Sequence, residues 1–167
     1  MQKVVLTKLG EYEIRRCETE DIPSVIEINL KTLPEHYSEY FYHEVLSEFP
    51  ETFLLAELRN VPVGYIMCRV EYGFSQLKRL ALARKGHVVS VAVEEEHRNK
   101  GIGTGLILAS HAEMTKKSAT ECYLEVRVSN VKAISLYQRI GYKSTSRLDG
   151  YYRDGEGALV MAAPLEK

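Results

Sequence analysis

The stretch that decides the fold runs from an apolar strand into a turn with two glycines: His87-Val88-Val89-Ser90-Val91-Ala92-Val93, then Glu94-Glu95-Glu96-His97, then Arg98-Asn99-Lys100-Gly101-Ile102-Gly103-Thr104. Its β-branched first part predicts a strand buried on both faces. Its second part opens a predicted helix that runs to about residue 117, and a helix N-terminus presents N–H groups without intrahelical partners. Glycines let the backbone approach a ligand closely. The stretch therefore predicts a strand–turn–helix unit that cradles an anion such as a pyrophosphate, with charge added by Arg98 and Lys100.

Two common phosphate-binding motifs are excluded by the same residues. A P-loop would end in Gly-Lys-Ser or Gly-Lys-Thr, which is missing here. The dinucleotide fingerprint would place a glycine or alanine where Leu106 stands. The remaining readings are a site for another phosphorylated cofactor, or a helix start whose glycines serve close packing.

The segments on either side of this unit predict a mixed α/β fold. An edge strand is expected over residues 12–17, helices over residues 19–33 and 38–49, and a hairpin of strands over residues 53–58 and 63–70. A loop is expected over residues 73–86. After the strand–turn–helix unit, the sequence predicts a strand over residues 122–128 and a helix over residues 130–140. Two closing strands follow, over residues 142–149 and 158–162. No repeat or linker divides the chain, so one domain is expected over residues 1–167.

Composition excludes several classes of protein. The chain has 167 residues and a net charge of −1, so no basic field draws it to nucleic acid or to an anionic membrane. It shows no signal peptide and no apolar run of membrane-spanning length. The three cysteines, Cys17, Cys68 and Cys122, lack metal-binding spacing and are expected as reduced thiols. A cytoplasmic protein is expected, with no metal, no membrane role and no direct nucleic-acid partner.

The segment Arg98-x-x-Gly101-x-Gly103 after an apolar strand resembles the acetyl-coenzyme A loop of the GNAT acetyltransferases. Four further segments, in the same order, resemble the NatA catalytic subunit and its archaeal relatives; the bacterial RimI enzymes are less similar at the first of them. The matching segments lie between Leu33 and Met161, nearly the whole domain. Beside the loop itself they are residues 33–37 with 40–43, residues 86–93, residues 124–130 with 133–137, and residues 151–156. The resemblance implies the GNAT fold, a central mixed sheet with two splayed parallel strands and helices on both faces.

The resemblance also implies the residues that bind acetyl-coenzyme A as co-substrate. The splayed strands would lie around Val91 and Val126, and the pantetheine arm would bond to backbone groups at Val91 and Val93. A backbone N–H near Val91 would hold the oxyanion of the reaction. Asn130 would contact the pantetheine side, cap the following helix, or do both. The full set of coenzyme residues implied is Val91, Ala92, Val93, Arg98, Asn99, Lys100, Gly101, Ile102, Gly103, Thr104, Asn130 and Tyr137.

The activity implied is acetylation of the α-amine of protein N-termini by direct attack in a ternary complex. Three residues are candidates for the base: Glu35, or His87 and Glu125, which could hold a water together. Tyr137 is the candidate acid for the leaving thiolate. The peptide end is expected against Leu33, Glu35, Tyr37, Tyr151 and Tyr152. Each role has an alternative without catalysis: His87 as a hydrogen-bonded strand histidine, Glu125 as a surface or structural carboxylate, and Tyr137 as a core-packing tyrosine. The aromatic side chains at the expected peptide site have ordinary half-buried packing as their alternative.

The sequence leaves other functions open. One is a GNAT enzyme that acetylates lysine side chains or a small amine, and another is a non-catalytic acetyl-coenzyme A binding domain. An auxiliary or ribosome-associated partner is a further possibility. The residues alone choose neither the base, nor the preferred N-terminal residues, nor the oligomeric state, and they leave an incidental metal at His87 and Glu125 undecided.

Overall fold

The computed structural model describes residues 3–166, and within them the chain forms eight β-strands and four α-helices. The strands are β1 (Val5–Leu9), β2 (Tyr12–Arg16), β3 (Phe53–Leu58), β4 (Val61–Phe74), β5 (Leu82–Val93), β6 (Glu121–Arg127), β7 (Lys143–Leu148) and β8 (Ala158–Pro164). The helices are α1 (Ile22–Thr32), α2 (Glu39–Glu48), α3 (Ile102–Lys116) and α4 (Val131–Ile140).

The strands are hydrogen-bonded in the order β1-β2-β3-β4-β5-β6-β8-β7. β5 and β6 run parallel, and Lys85, Gly86 and His87 face Glu121, Cys122 and Tyr123 in register. The pairs β1–β2, β2–β3, β3–β4, β6–β8 and β7–β8 are antiparallel. A mixed sheet with a parallel pair confirms the predicted fold class.

Two compact units make up the chain, and the long strands β4 and β5 run through both. The first unit contains residues 3–69 and 89–113. Its core packs α1 and α2 on β3, β4 and β5 through fully buried side chains, among them Ile22, Val25, Tyr42, Phe53 and Tyr65. Burial of such side chains contributes about 1.5–3 kcal/mol each. The expectation of one domain over residues 1–167 stays a prediction.

A buried ion network ties β2 to the start of α1 within this first unit. Arg15 is 1% exposed, and its guanidinium donates from Nη1 and Nη2 to the carboxylate of Asp21 at 2.7 and 2.9 Å. Nη2 also lies 3.1 Å from a carboxylate oxygen of Glu57. Arg15 holds the pKa of Asp21 below its usual range, against the opposing effect of burial. Because Glu57 is also buried, loss of Arg15 would leave an unpaired carboxylate inside the unit.

The second unit contains residues 70–88 and 114–166. Here β6 lies between β5 and β8, and α4 is capped by Asn130, whose side chain accepts from the amide of Ala133 at 3.2 Å. The backbone of Gly86 lies directly against the side chain of Met114, where a β-carbon would collide. This close approach sets the position of β5 one residue before His87.

Three sequence-based expectations are wrong in detail. Residues 12–16 form an inner strand, because β1 pairs with their outer side, so the edge lies at residues 5–9. The expected loop over residues 73–86 is shorter than predicted, because β4 continues to Phe74 and β5 starts at Leu82, which leaves residues 75–81 as the loop. β5 is buried on one face only: Val88, Ser90 and Ala92 are buried, and the residues that alternate with them are half-buried.

Within residues 3–166 no helix is both long enough and apolar enough to cross a membrane.

Candidate active site

The predicted pair His87 and Glu125 meets directly in the second unit. His87 donates from Nε2 to the two carboxylate oxygens of Glu125 at 2.7 and 3.1 Å. Both side chains are largely withdrawn from solvent, with 20% and 13% of their surface exposed. Parallel pairing places them together, because His87 faces Tyr123 in register and Glu125 lies two residues further along the same face of β6. The two residues thus form a hydrogen-bonded imidazole–carboxylate pair, the arrangement of a general base.

Two residues that the sequence did not single out complete this group. The ring of Tyr123 stacks on the imidazole of His87, with centroids 4.3 Å apart and planes 2° from parallel. Tyr123 also donates its hydroxyl to Glu71 of β4 at 2.6 Å. A carboxylate oxygen of Glu71 lies 3.7 Å from Nδ1 of His87. Each ring nitrogen of His87 therefore faces a carboxylate.

The predicted substrate loop is joined to this pair through Tyr151. The Tyr151 hydroxyl hydrogen-bonds to Glu125, and burial together with that carboxylate raises the pKa of Tyr151. Tyr151 and Tyr152 meet edge to face with ring centroids 5.0 Å apart. The guanidinium of Arg127 covers the Tyr152 ring at 4.1 Å.

Charged groups hold the same loop in place. Arg127 donates to Asp154 and to Glu156, each at 2.9 Å, and the amide of Ser129 donates to Glu156 at 2.9 Å. Hydrogen bonds from Ser129 and Arg127 lower the pKa of Glu156 to about 2. The loop is thereby anchored to the end of β6 by a charge network that the sequence did not predict.

Tyr137 and Asn130 lie at the two ends of α4. Tyr137 is buried, and burial raises the pKa of its hydroxyl to about 12, so the group stays protonated at neutral pH. Its ring centroid lies 5.8 Å from that of Tyr142. The cap formed by Asn130 confirms the capping role, while its contact with a coenzyme stays a prediction.

The loop that contains Leu33, Glu35 and Tyr37 lies in the first unit and is fastened to its core. Asn29 donates to the backbone carbonyl of Glu35 at 3.0 Å, and Tyr37 donates its hydroxyl to the carbonyl of Val89 at 3.2 Å. The Tyr37 ring stacks on Phe41 with centroids 5.0 Å apart. These contacts hold Glu35, which is half-buried, in a defined loop that follows α1.

The predicted anion-binding turn joins β5 to α3, also in the first unit. Arg98, Asn99, Lys100 and Gly101 are exposed, and Asn99 and Gly101 have positive φ values of 63° and 83°. The amide of Gly105 donates to the carbonyl of Gly101 at 2.9 Å, so the helical ladder begins there. The amides of residues 102–104 lie before that first bond, where helices present N–H groups to ligands. An exposed turn with left-handed residues, two cations and a helix N-terminus fits a pyrophosphate.

The predicted coenzyme strand lies next to this turn. Val91 and Val93 are half-buried and Ala92 is buried. The carbonyl of Val93 accepts from Nε of Arg98 at 3.0 Å, which ties the turn back to the strand. Residues 91–93 and 98–104, predicted for the pantetheine and the pyrophosphate, thus both lie in the first unit.

A separate group of possible metal ligands lies on the intervening turn. Ligand atoms of Glu94, Glu96 and His97 lie within 4.8 Å of one another. Glu94 also lies 3.8 Å from the ammonium of Lys31. Glu94 and His97 are half-buried and Glu96 is exposed, and the group lies apart in the chain from the pair at His87 and Glu125.

Sequence reasoning missed Tyr123 because it was assigned only to a strand, and it missed Glu71 because the predicted strand over residues 63–70 ended one residue before it. The signal that finds them is alternation. In β5, Lys85 and His87 share a face, and in β6, Glu121, Tyr123 and Glu125 share a face. A run of polar side chains on one face of neighbouring strands is unusual for a sheet interior.

Residues 22–142 match the acetyltransferase (GNAT) family. The chain belongs to this family. As a GNAT protein it is 51% identical over 157 residues to an N-alpha-acetyltransferase of Sulfurisphaera tokodaii, which covers 93% of this chain and 94% of that protein. The family predicted from the sequence is confirmed.

Solved structures agree with this GNAT assignment. Ard1 of Thermoplasma volcanium superposes with a TM-score of 0.82 at 27% identity, over 94% of this chain and 99% of that chain. A chain of the NatC complex bound to Gag peptide and CoA superposes with a TM-score of 0.83 at 26% identity, over 93% and 99% of the two chains. The predicted GNAT fold is confirmed by these likenesses.

Proposed function

We propose that this GNAT protein transfers the acetyl group of acetyl-coenzyme A to the α-amine of protein N-termini, by direct attack in a ternary complex. The observation that carries the proposal is the hydrogen bond of 2.7 Å between His87 and Glu125, two strand residues withdrawn from solvent. The archaeal N-alpha-acetyltransferase that is 51% identical along nearly the whole chain supports it.

An α-amine needs only a modest base to free it of its proton. Its pKa is about 7.7–8.0, against about 10.4 for a lysine side chain. Freeing the α-amine of its proton therefore needs roughly 3.5 kcal/mol less than freeing a lysine. His87 with Glu125, or Glu35 through an ordered water, accepts a proton of the attacking amine. Both arrangements need only a modest base.

The chain's own residues fit the coenzyme in the first unit. Acetyl-coenzyme A supplies the thioester that the amine attacks. Residues 98–104 hold the pyrophosphate through backbone amides and the cations of Arg98 and Lys100, and backbone groups of Val91, Ala92 and Val93 hold the pantetheine. The positive φ values of Asn99 and Gly101 support this assignment, because they turn successive amides toward one side. In the second unit, Asn130 contacts the pantetheine side.

Tyr137 protonates the leaving thiolate. Burial keeps its hydroxyl protonated well above neutral pH, as a proton donor requires. The Tyr137 side chain points from α4, the helix that follows β6, and its ring is fixed against Tyr142.

As contacts for the peptide substrate we propose Leu33, Glu35 and Tyr37 in the first unit. For the second unit we propose Tyr151 and Tyr152. Aromatic side chains clamp an extended peptide backbone without reading one side chain strictly. Glu35 repels N-termini that begin with an acidic residue. Peptides that begin with Ser, Ala or Met are therefore better substrates than peptides that begin with Glu.

Protein N-termini are thus the proposed partners, and the cytoplasm is the proposed compartment. Cys17, Cys68 and Cys122 are buried and form no disulfide bond among the described residues, which supports a reducing environment. Neighbouring structures include chains of the NatC and NatB complexes. An auxiliary subunit would raise the activity of this chain over that of the chain alone.

The test is an assay of thiol release with acetyl-coenzyme A and short peptides that start with Ser, Ala, Met-Leu or Glu. Each peptide is also supplied with a blocked N-terminus and a free internal lysine. Release that disappears on blocking establishes transfer to the α-amine. Release that survives blocking moves the acceptor to lysine and overturns the proposal. Tight coenzyme binding without release from any amine indicates a binding domain or a missing subunit.

A further inference from the structure

The imidazole of His87 is surrounded by groups from three neighbouring strands. Glu125 of β6 accepts from Nε2, Glu71 of β4 approaches Nδ1 to 3.7 Å, and the ring of Tyr123 of β6 covers one face at 4.3 Å. Lys85 of β5 holds its ammonium 4.7 Å from the centre of the Tyr123 ring. The base pair is therefore one part of a larger polar cluster.

Tyr123 has two contacts in this cluster, and they are coupled. Its ring stacks on His87, and its hydroxyl donates to Glu71 at 2.6 Å. One side chain thereby fixes both the plane of the imidazole and the position of the second carboxylate. Glu71 is 41% exposed on its side chain, so without this hydrogen bond it is free to turn toward solvent.

We infer that Glu71 and Tyr123 are positioning residues for the His87–Glu125 base pair. The inference rests on the proposed function and assigns a role to two residues outside the predicted site. Tyr123 sets the plane in which Nε2 points at Glu125, and Glu71 places a negative charge beside Nδ1.

The second carboxylate matters when the pair holds a proton. A ring that donates from Nε2 to Glu125 has Nδ1 as its remaining nitrogen. Once the proton of the amine has been taken up, the ring carries N–H groups on both nitrogens and a positive charge. Glu71 stabilises that charge from the side opposite to Glu125.

The charged and titratable groups that act on His87 have opposing effects. Glu71 and Glu125 favour the charged ring, and the ammonium of Lys85 disfavours it. Tyr123 and Tyr151 act through the carboxylates to which they are hydrogen-bonded. Removal of the charge of Glu71 alone therefore makes the ring harder to protonate.

The experiment compares the full chain with its Glu71→Gln, Tyr123→Phe and Asp149→Asn variants. Glu71→Gln keeps the size and an acceptor for Tyr123 but removes the charge. Tyr123→Phe keeps the stacked ring but releases Glu71. Asp149→Asn removes one charge from an exposed residue of the same unit and is the matched control. Two readouts are used: the titration midpoint of His87 followed by NMR of its labelled ring, and the pH dependence of kcat/KM with an α-amine peptide.

Glu71→Gln is expected to lower the titration midpoint by roughly 0.5–1 pH unit, and the acidic limb of kcat/KM moves down with it. Tyr123→Phe is expected to lower kcat roughly 3- to 10-fold with little change in KM. Asp149→Asn changes neither readout. An unmoved midpoint in Glu71→Gln overturns the inference, and so does a moved midpoint with an unmoved limb. A wild-type chain that leaves α-amines unmodified overturns the proposed function instead, and the NMR midpoint then decides the positioning of His87 independently.

Discussion

The side-chain amide of Asn29 donates one hydrogen bond to the backbone carbonyl of Glu35 and another to the hydroxyl of Tyr65, each at 3.0 Å. Tyr65 of β4 in turn bonds to Ser90 of β5 at 2.6 Å, so a chain of polar groups connects the loop that contains Glu35, through Asn29 of α1, to β4 and β5. The position of this loop is therefore fixed by hydrogen bonds to the core of the first unit.

Replacement of Asn29 by Leu is therefore expected to loosen the loop. The buried hydroxyl of Tyr65 and the carbonyl of Glu35 lose a donor, which costs about 1–3 kcal/mol of the free energy of unfolding. The KM for peptide rises while the Kd for acetyl-coenzyme A stays within twofold. Chemical denaturation and peptide kinetics measure both effects, with Glu27→Gln on the exposed side of the same helix as the control. An unchanged peptide KM would remove the link between this hydrogen-bonded chain and the substrate.

Gly101 allows a direct test of the anion-binding turn. Its φ of 83° is strained for any residue with a β-carbon, although the space around it is open. Gly101→Ala is expected to cost about 1–2 kcal/mol locally and to weaken coenzyme binding by about tenfold, because the amides of the turn lose their alignment. Calorimetric titration with acetyl-coenzyme A gives the Kd. Gly150→Ala, at a φ of 62° in a turn of the second unit, serves as the control for backbone strain alone. Equal losses in the two variants would argue against a binding role for residues 98–104.

The strand–turn–helix unit was predicted from a local pattern, and the parallel pair and the candidates His87 and Glu125 followed from the resemblance to the GNAT family. Glu71 and Tyr123 leave no such pattern, because their importance arises from the registers of β4, β5 and β6. Likewise Arg15 was taken for a residue of an edge strand, although its partners Asp21 and Glu57 bury it. Tertiary pairing decides which polar residues of a strand become a cluster, and a single sequence does not contain the register.

Tyr137→Phe tests the proposed acid. Loss of the hydroxyl is expected to lower kcat by about 100-fold or more, the range of general acid catalysis. The KM for acetyl-coenzyme A changes little, because the ring remains in place. Since the pKa of Tyr137 is raised to about 12, the wild-type enzyme loses no activity through this residue below about pH 11. Tyr142→Phe removes the hydroxyl of the neighbouring ring and is expected to keep activity. A Tyr137→Phe variant with wild-type kcat would move the acid role to another group.

The buried side chain of His111 is expected to make the free energy of unfolding depend on pH. Burial lowers its pKa from about 6.5 to about 4 in the folded state. Between these values the unfolded chain binds a proton that the folded chain does not, so stability falls as the pH falls from 6.5 to 4. The limiting loss is about 3 kcal/mol. His111→Phe is expected to flatten this part of the curve of unfolding free energy against pH, measured by denaturation at each pH. An equally steep curve in the variant would assign the slope to other groups.

The hydrogen bond between His87 and Glu125 predicts that the two residues act as one base. His87→Gln and Glu125→Gln are each expected to lower kcat/KM for an α-amine peptide by about 100- to 10,000-fold. The double variant is expected to be no slower than the slower single variant, because removal of either partner already disables the pair. A matched cycle of Glu35→Gln with Glu125→Gln provides the comparison. If Glu35 acts separately on the peptide, its loss multiplies with that of Glu125. Multiplicative losses for His87 with Glu125, combined with a larger single effect at Glu35, would transfer the role of base to Glu35 and leave the pair a structural one.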